Sequence, residues 1–558
     1  MFANRYYFRT MPSLPAHPIL SKSGKRYLGM VGTIALCLVT SACQHLPSLP
    51  FTQSPESKAE ALTAELPPPV ERQWPNSEQD VLNQRARGYG LVRMPEMQDY
   101  LNGLLRRIKT QAGVPEWPGK VYILAAAPLE AYATAAGNIY ISQSWLSSIE
   151  SEDEMVALLS HEFGHIYLHY HQLQDAVEAG DTVAKLATLA LAVSNKTAQT
   201  VGWTSVDSLA VGYLAGRDLL SAAWGRSQES AADTFGMNVS IKMGYTYEAG
   251  FKALLERMAD WVEENDARQE KQAQALLEQV KAQAAQHIHA RNDDPNSEVA
   301  KAMFEPLAQF NVAVSSILHQ GTEGLSKLWN QSTDTHPNTL ARLDALAAAV
   351  DILPLTAFST SQASTDSWRR ARAQTRTAQT LKNYAASMRA IANLSDAQSL
   401  KQAQAGASGI TSTHSFPLHV LLHAQNAHPQ ALSPRVKNQG AAALDKNIRS
   451  EPDRAWSSYI ELAQLLRANG QVREAGAVMS KGFEYFRDAG AAWPQTIAFI
   501  GEFESWEAAK KLAAECRQRF SIMASACANA ATTPSEKAES QRQSEVKVQN
   551  LFNRVMGR

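Results

Sequence analysis

Two histidines four residues apart flank a glutamate in the run His161-Glu162-Phe163-Gly164-His165. On a helix, positions i and i+4 share a face, so both imidazoles can hold one metal ion. Glu162 sits beside them, where it can take a proton from water activated by that metal. A hydrolytic zinc site takes three protein ligands and keeps one position open. The third ligand is expected on a separate helix, and Glu229 in Gln228-Glu229-Ser230-Ala231-Ala232-Asp233 is the candidate. The small residues between the acids suit close packing on the first helix. Asp233, one turn on, can accept the second ring N–H of a ligating histidine and fix its tautomer. A further element is Asp334-Thr335-His336-Pro337-Asn338-Thr339-Leu340-Ala341-Arg342. His336 precedes a proline, where helix is disfavoured, and from a loop it can occupy a fourth metal position. Arg342, one to two turns into the next helix, can hold a developing oxyanion.

Each motif alone has a plainer reading. A chance HExxH arises in roughly one such chain in fifty, an isolated ExxxD pair is usually a solvated helix face, and His336 alone is a surface-loop histidine. Taken together they point to one zinc ion per chain and a hydrolytic reaction.

The motif needs a helix, and the sequence supplies its start. Ser151 followed by Glu154 is a capping box, and Met155, Leu158, Leu159 and Phe163 form a stripe to bury. Upstream, Lys120–Ala125 and Asn138–Ser142 are short β-branched and aromatic runs, with a turn signal at Gly137-Asn138. A few strands among many helices predict an α+β, helix-dominated domain with one small sheet. An extended substrate is expected to pair with the edge of that sheet near Asn138–Ser142. Thr182–Val193 and Val206–Ala215 read as core helices too short to span a bilayer. Residues 264–330 read as a long helical insertion with a largely solvated charged face.

In 558 residues, 45% are hydrophobic and 19% charged, which excludes disorder throughout. The net charge of −1 argues against a nucleic-acid partner. The charge is uneven. Residues 1–42 carry Arg5, Arg9, Lys22, Lys25 and Arg26 and no acid; the remainder holds 48 basic against 54 acidic residues. The basic start, the apolar run Tyr27–Thr40 and Ser41-Ala42-Cys43 read as a secretory signal ending at a lipidated cysteine, or as an ordinary cleaved signal with Cys43 idle. Gln44 fits sorting to an outer membrane. Pro47, Pro50, Pro55 and Pro67-Pro68-Pro69 mark residues 43–76 as a tether rather than a packed element.

The C-terminal part is Ala-rich and helical. Tyr459, Leu462, Ala463, Leu466, Gly470, Ala475, Met479 and Gly482 fit the ~34-residue helix–turn–helix spacing of tetratricopeptide units. A weaker unit covers Trp493–Phe520, and further units are expected between 370 and 450. Cys516 and Cys527 can bridge the last repeat helix to its tail or stand as separate thiols.

As a set, HEFGH, ESAAD and THPNTLAR resemble the HtpX/BepA-type zinc metallopeptidases, relatives of the CAAX prenyl endopeptidases. An exported chain with C-terminal repeats is most similar to the periplasmic BepA/LoiP-type branch. The resemblance implies zinc ligands His161, His165 and Glu229, the general base Glu162, a supporting carboxylate Asp233, a plug-loop His336 and an active-site Arg342. In place of the family's Asn-Ala-Phe-Ala-like strand stands Glu130-Ala131-Tyr132-Ala133-Thr134-Ala135-Ala136-Gly137-Asn138. The gap from Asp233 to His336 is also longer than the family's. The implied organisation is a signal at 1–42, tether at 43–76, peptidase at 77–350, repeats at 365–530 and a polar tail at 531–558. The implied function is cleavage of unfolded or misassembled envelope proteins in the periplasm. Membrane attachment would come through a lipid on Cys43, and outer-membrane assembly machinery would dock on the repeats. The competing reading is an envelope chaperone or assembly scaffold with a silent metal site.

Overall fold

The computed structural model of the protein describes residues 54–70, 72–126, 128–168, 226–264, 339–354, 365–428, 439–520, 523–537 and 539. The signal segment, Thr182–Val193, Val206–Ala215, the 264–330 insertion beyond Glu264, and His336 lie outside these residues. No described helix is long and apolar enough to cross a membrane.

The first helix, α1 (Pro55–Thr63), occupies sequence expected to be tether. Ser54 caps it by accepting from the Ser57 N–H, and Pro55 stands in the first turn, where a missing N–H costs nothing. Ala59 and Leu62 are fully buried in the main core. The prolines were legible; the short apolar face between them, which docks on distant helices, was not.

After α2 (Ser77–Arg85) and α3 (Pro95–Gln111) come three strands, β1 (Val121–Leu124), β2 (Ala131–Ala133) and β3 (Ile139–Ser142). Their order is β1-β3-β2, with β1 parallel and β2 antiparallel to β3. Period-2 alternation sorts the side chains. Val121, Ile123, Ile139 and Ile141 enter the core, while Tyr122, Tyr140 and Tyr132 lie in register and stack at 5.5 Å on the opposite face. There Asp80 of α2 accepts from Tyr140 (2.7 Å), Asn138 (2.8 Å) and Thr134 (2.8 Å). Gly137 takes the left-handed φ of 81° that the turn before β3 requires. β3 is therefore the central strand, paired on both sides. An extended substrate cannot join the sheet at Asn138–Ser142, as the sequence had implied.

Next come α4 (Gln143–Ser148), α5 (Glu152–Tyr167), α6 (Arg226–Lys242), a π-helical turn at Glu248–Lys252, and α7 (Thr339–Val350). α5 carries the HExxH run and is buried along its whole length. The expected amphipathic stripe is thus only part of its buried surface. Each acid of its first turn has a dedicated partner, which is what lets polar faces be enclosed. Glu152 accepts from Tyr100, Tyr245 and Arg107. Asp153 accepts from the Thr246 N–H and hydroxyl, both at 2.9 Å. Glu154 pairs with Arg257.

The helical region comprises α8 (Thr365–Ala373), α9 (Thr375–Ala392), α10 (Ser399–Gly406), α11 (Ser415–Ala427), α12 (Gln439–Arg449), α13 (Trp456–Ala468), α14 (Val472–Phe486), α15 (Trp493–Phe503), α16 (Trp506–Arg519) and α17 (Ala524–Ala530). The division expected near 350–365 does not separate two cores. Trp368, Tyr384, Ala403, Phe416 and Ala424 belong to the cluster that surrounds α5, and the Trp368 indole donates to the Ile149 carbonyl at 2.8 Å. Two smaller clusters follow, one around Trp456, Tyr459 and Phe486 and one around Trp493 and Cys516. In α13–α16, buried positions recur 34 residues apart, as Tyr459 and Trp493, Ala475 and Ala509, Met479 and Ala513. Cys516 and Cys527 form a disulfide between α16 and α17.

Candidate metal centre

α5 begins where Ser151 accepts from the Glu154 N–H at 3.1 Å and Glu154 turns back to accept from the Glu150 N–H. Ten residues into this helix, His161 and His165 project together, their Nε2 atoms 3.2 Å apart. α6 crosses α5 closely because of glycine. A Cβ on Gly236 would lie 2.9 Å from the His161 backbone nitrogen, and one on Gly164 would lie 3.1 Å from the Ala232 carbonyl oxygen. Ser160 fastens the crossing, its hydroxyl 3.2 Å from the Gly236 carbonyl and 3.1 Å from the Ser240 hydroxyl.

This approach carries Glu229 to the histidine pair. Its oxygens stand 3.3 Å from His165 Nε2 and 3.5 Å from His161 Nε2. All three side chains are buried. Zinc–ligand bonds of ~2.0–2.1 Å in a tetrahedron give a ligand–ligand edge of about 3.4 Å, and all three separations lie close to it. Two imidazoles and a carboxylate are also the borderline donors zinc prefers. The donor set fits a single zinc ion.

The surroundings prepare the ligands. His161 Nδ1 lies 2.9 Å from Asp233 Oδ1, so the proton on Nδ1 faces a carboxylate and Nε2 keeps its lone pair for the centre. Burial pulls the His165 pKa down to about 4 against the opposing pull of Glu229, so its imidazole is neutral at pH 7, the form that ligates. Burial raises the Asp233 pKa, but the Arg342 guanidinium and His161 outweigh it, leaving the carboxyl well below its usual range.

Arg342, expected to hold a developing oxyanion, is engaged with the acids of α6. From α7 its Nε and Nη2 grip Asp233 at 2.8 and 2.7 Å, and its Nη1 meets Glu229 at 3.0 Å. Glu162 is buried beside the pair and acts electrostatically on His165. The structure thus brings together His161, Glu162, His165, Glu229, Asp233 and Arg342, while His336 lies outside the described residues.

Sequence reasoning missed several supports. Lys58 of α1 is buried and donates to Ser230, the neighbour of Glu229, at 2.8 Å. Arg72 donates to the carbonyls of Ile166 and Tyr167, closing the C-terminal end of α5, with its guanidinium 4.5 Å from the Trp117 ring. The two glycines at the crossing were visible in the sequence, but nothing there marked them as contact points.

Residues 95–350 match the family model of peptidase family M48. The match spans the sheet, α5, α6 and α7, and with them every ligand candidate. It supports a metallopeptidase, a hydrolase of peptide bonds, for this part of the chain. M48 peptidases are zinc-dependent, in keeping with the donor set. Neither α1 nor the helical region after Val350 falls within the M48 match. No curated protein matches the chain.

Proposed function

We propose that the chain is an exported zinc endopeptidase that cleaves unfolded or misassembled proteins of the cell envelope. The observation that carries this reading is the buried triangle of His161, His165 and Glu229 with Glu162 beside it. When bound, zinc supplies Lewis acidity towards water and a substrate carbonyl. Glu162 takes the proton of the attacking water and returns it to the departing amine. Asp233 keeps His161 in the ligating tautomer, and Arg342 neutralises the two carboxylates so that their charges can coexist out of water. His336, which precedes Pro337 in the sequence, is proposed as a resting plug of the fourth position.

The basic, apolar start ending at Cys43 supports export and a lipid anchor facing an outer membrane. The paired helices α13–α14 and α15–α16, with burial recurring at 34 residues, support reading them as tetratricopeptide-like units that dock substrate or assembly partners.

Zinc content and casein cleavage test the reading on the protein from Gln44 onward, beside Glu162→Gln. The expected result is one zinc per chain in both and a loss of about 10²–10⁴-fold in cleavage for Glu162→Gln. Equal cleavage by both proteins would sink the peptidase. Zinc bound with no turnover, even after His336→Ala, would favour the scaffold.

A further inference from the structure

Two buried cations reach the acidic turn of α6, one from an element before it in the sequence and one from an element after it. Arg342 arrives from α7. Lys58 arrives from α1, in a segment that lies outside the M48 match. Lys58 is only 4% exposed, and its ammonium donates to the Ser230 hydroxyl at 2.8 Å. It also feels both the Asp233 carboxylate and the Arg342 guanidinium. Burying an ammonium costs several kcal/mol unless opposite charge repays it, so its place beside an Asp233 already gripped by arginine calls for a purpose. Through Ser230 the ammonium ties α1 to the turn of α6 that carries Glu229, at a buried junction where Arg342 pairs with both Glu229 and Asp233.

α1 is built to deliver this charge. Leu62 and Ala59 seat it in the main core, and Asn238 of α6 donates to the carbonyls of Ala61 and Ala64, both at 2.9 Å. Lys242 of α6 adds a third bond, to the Ala64 carbonyl at 2.5 Å. The helix is therefore clasped along the same α6 that carries the third ligand.

We propose that Lys58 is a positioning residue of the metal centre, holding through Ser230 the turn of α6 that presents Glu229 as a ligand and Asp233 as its neighbour's support. The proposal rests on the metallopeptidase reading above. Supporting residues of this kind typically change metal affinity or activity by about 10–100-fold when removed.

Zinc affinity, read by competition with a chromophoric chelator on the protein from Gln44 onward, separates positioning from packing. Lys58→Met keeps the apolar stem and removes the charge; Leu62→Ala loosens the same helix and leaves the ammonium. Lys58→Met is expected to bind zinc at least about 10-fold more weakly, and to lose kcat on an unfolded substrate with KM little changed. Leu62→Ala is expected to melt at lower temperature yet bind zinc within about twofold of the parent. Ser230→Ala, which removes the partner hydroxyl without touching the lysine, is expected to weaken zinc in the same direction and serves if Lys58→Met does not fold. Zinc affinity within twofold of the parent in Lys58→Met and Ser230→Ala overturns the proposal, as does equal weakening by Leu62→Ala. A parent that binds no zinc removes the metallopeptidase reading and this proposal with it.

Discussion

At the crossing of α5 and α6, Gly236 lets one helix backbone lie against another; at the hairpin of α13 and α14, Gly482 makes room for rings. A Cβ on Gly236 would come 2.9 Å from the His161 nitrogen, whereas one on Gly482 would come 2.5 Å from the Tyr459 ring. Around the first crossing sit buried acids, histidines and cations, each held by named partners. Around the second the buried groups are mainly apolar: Trp456, Tyr459, Ala475, Met479 and Phe486. The first junction spends burial on charge, which is costly unless geometry is fixed. The second buries ordinary apolar area and repeats it 34 residues later. Chemistry is therefore expected at the first, and shape at the second.

Matched substitutions sharpen that contrast. Gly236→Ala must displace backbone, and the atom displaced belongs to a ligand residue. Its expected cost is roughly 100-fold in kcat/KM on a short peptide, since misplacing a site by about 1 Å costs that much, together with weaker zinc binding. Gly482→Ala forces a buried ring aside and is expected to lower the melting temperature while leaving short-peptide cleavage unchanged. Equal losses of activity from both would mean that the two junctions are mechanically coupled and that the contrast is mistaken.

Most of the chemistry was legible in the sequence because its spacing is local. Two histidines at i and i+4, and Glu229 with Asp233 one turn on, need only a helix to line up, and Ser151 with Glu154 announced one. What needed long-range packing was not legible. The order β1-β3-β2 depends on which strand β1 selects, and so β3 was taken for an edge when it is central. Lys58 falls in the stretch read as a tether, and its partner Ser230 lies 172 residues away. Arg342 was expected at the reacting carbonyl, since its spacing from His336 gives no hint of its bidentate grip on Asp233. Trp368 reads as the start of a new module, yet it fills the core beneath Ile149.

Acid should also separate the two regions. His419 in α11 is fully buried, with Nε2 3.4 Å from the Ser458 hydroxyl. Burial, helped by His423, holds its pKa down to about 3. In the unfolded chain it titrates near 6.5. Between those values the unfolded state binds a proton that the native state does not, so native stability falls as pH drops from 6.5 towards 3. The expected contribution is on the order of a few kcal/mol across the window. His419→Gln should flatten that part of the stability profile measured by denaturant unfolding, with zinc affinity at pH 7.5 unchanged. An unaltered slope would assign the acid sensitivity elsewhere, with His165 the next group to examine.

The smallest expected effect lies farthest from the metal. The Cys516–Cys527 bond closes a span of 11 residues and is packed among Trp493, Ile497, Ala509, Ala513 and Ala530, a small cluster that buries little area. A link of that length restricts the unfolded chain by about 2–3 kcal/mol, a large share of what so small a core supplies. Cys516→Ser with Cys527→Ser should lower the unfolding free energy of the C-terminal hairpin by that amount, read by denaturant unfolding. Substitution is preferable to dithiol reductants here, because they bind zinc and would disturb the other region directly. Short-peptide cleavage should stay at the parent rate, since no described residue of α5 or α6 belongs to this cluster. If the partner-docking role of α13–α16 is right, cleavage of a large unfolded protein should fall while the short-peptide rate holds. A fall in both would tie the terminal hairpin to the metal centre.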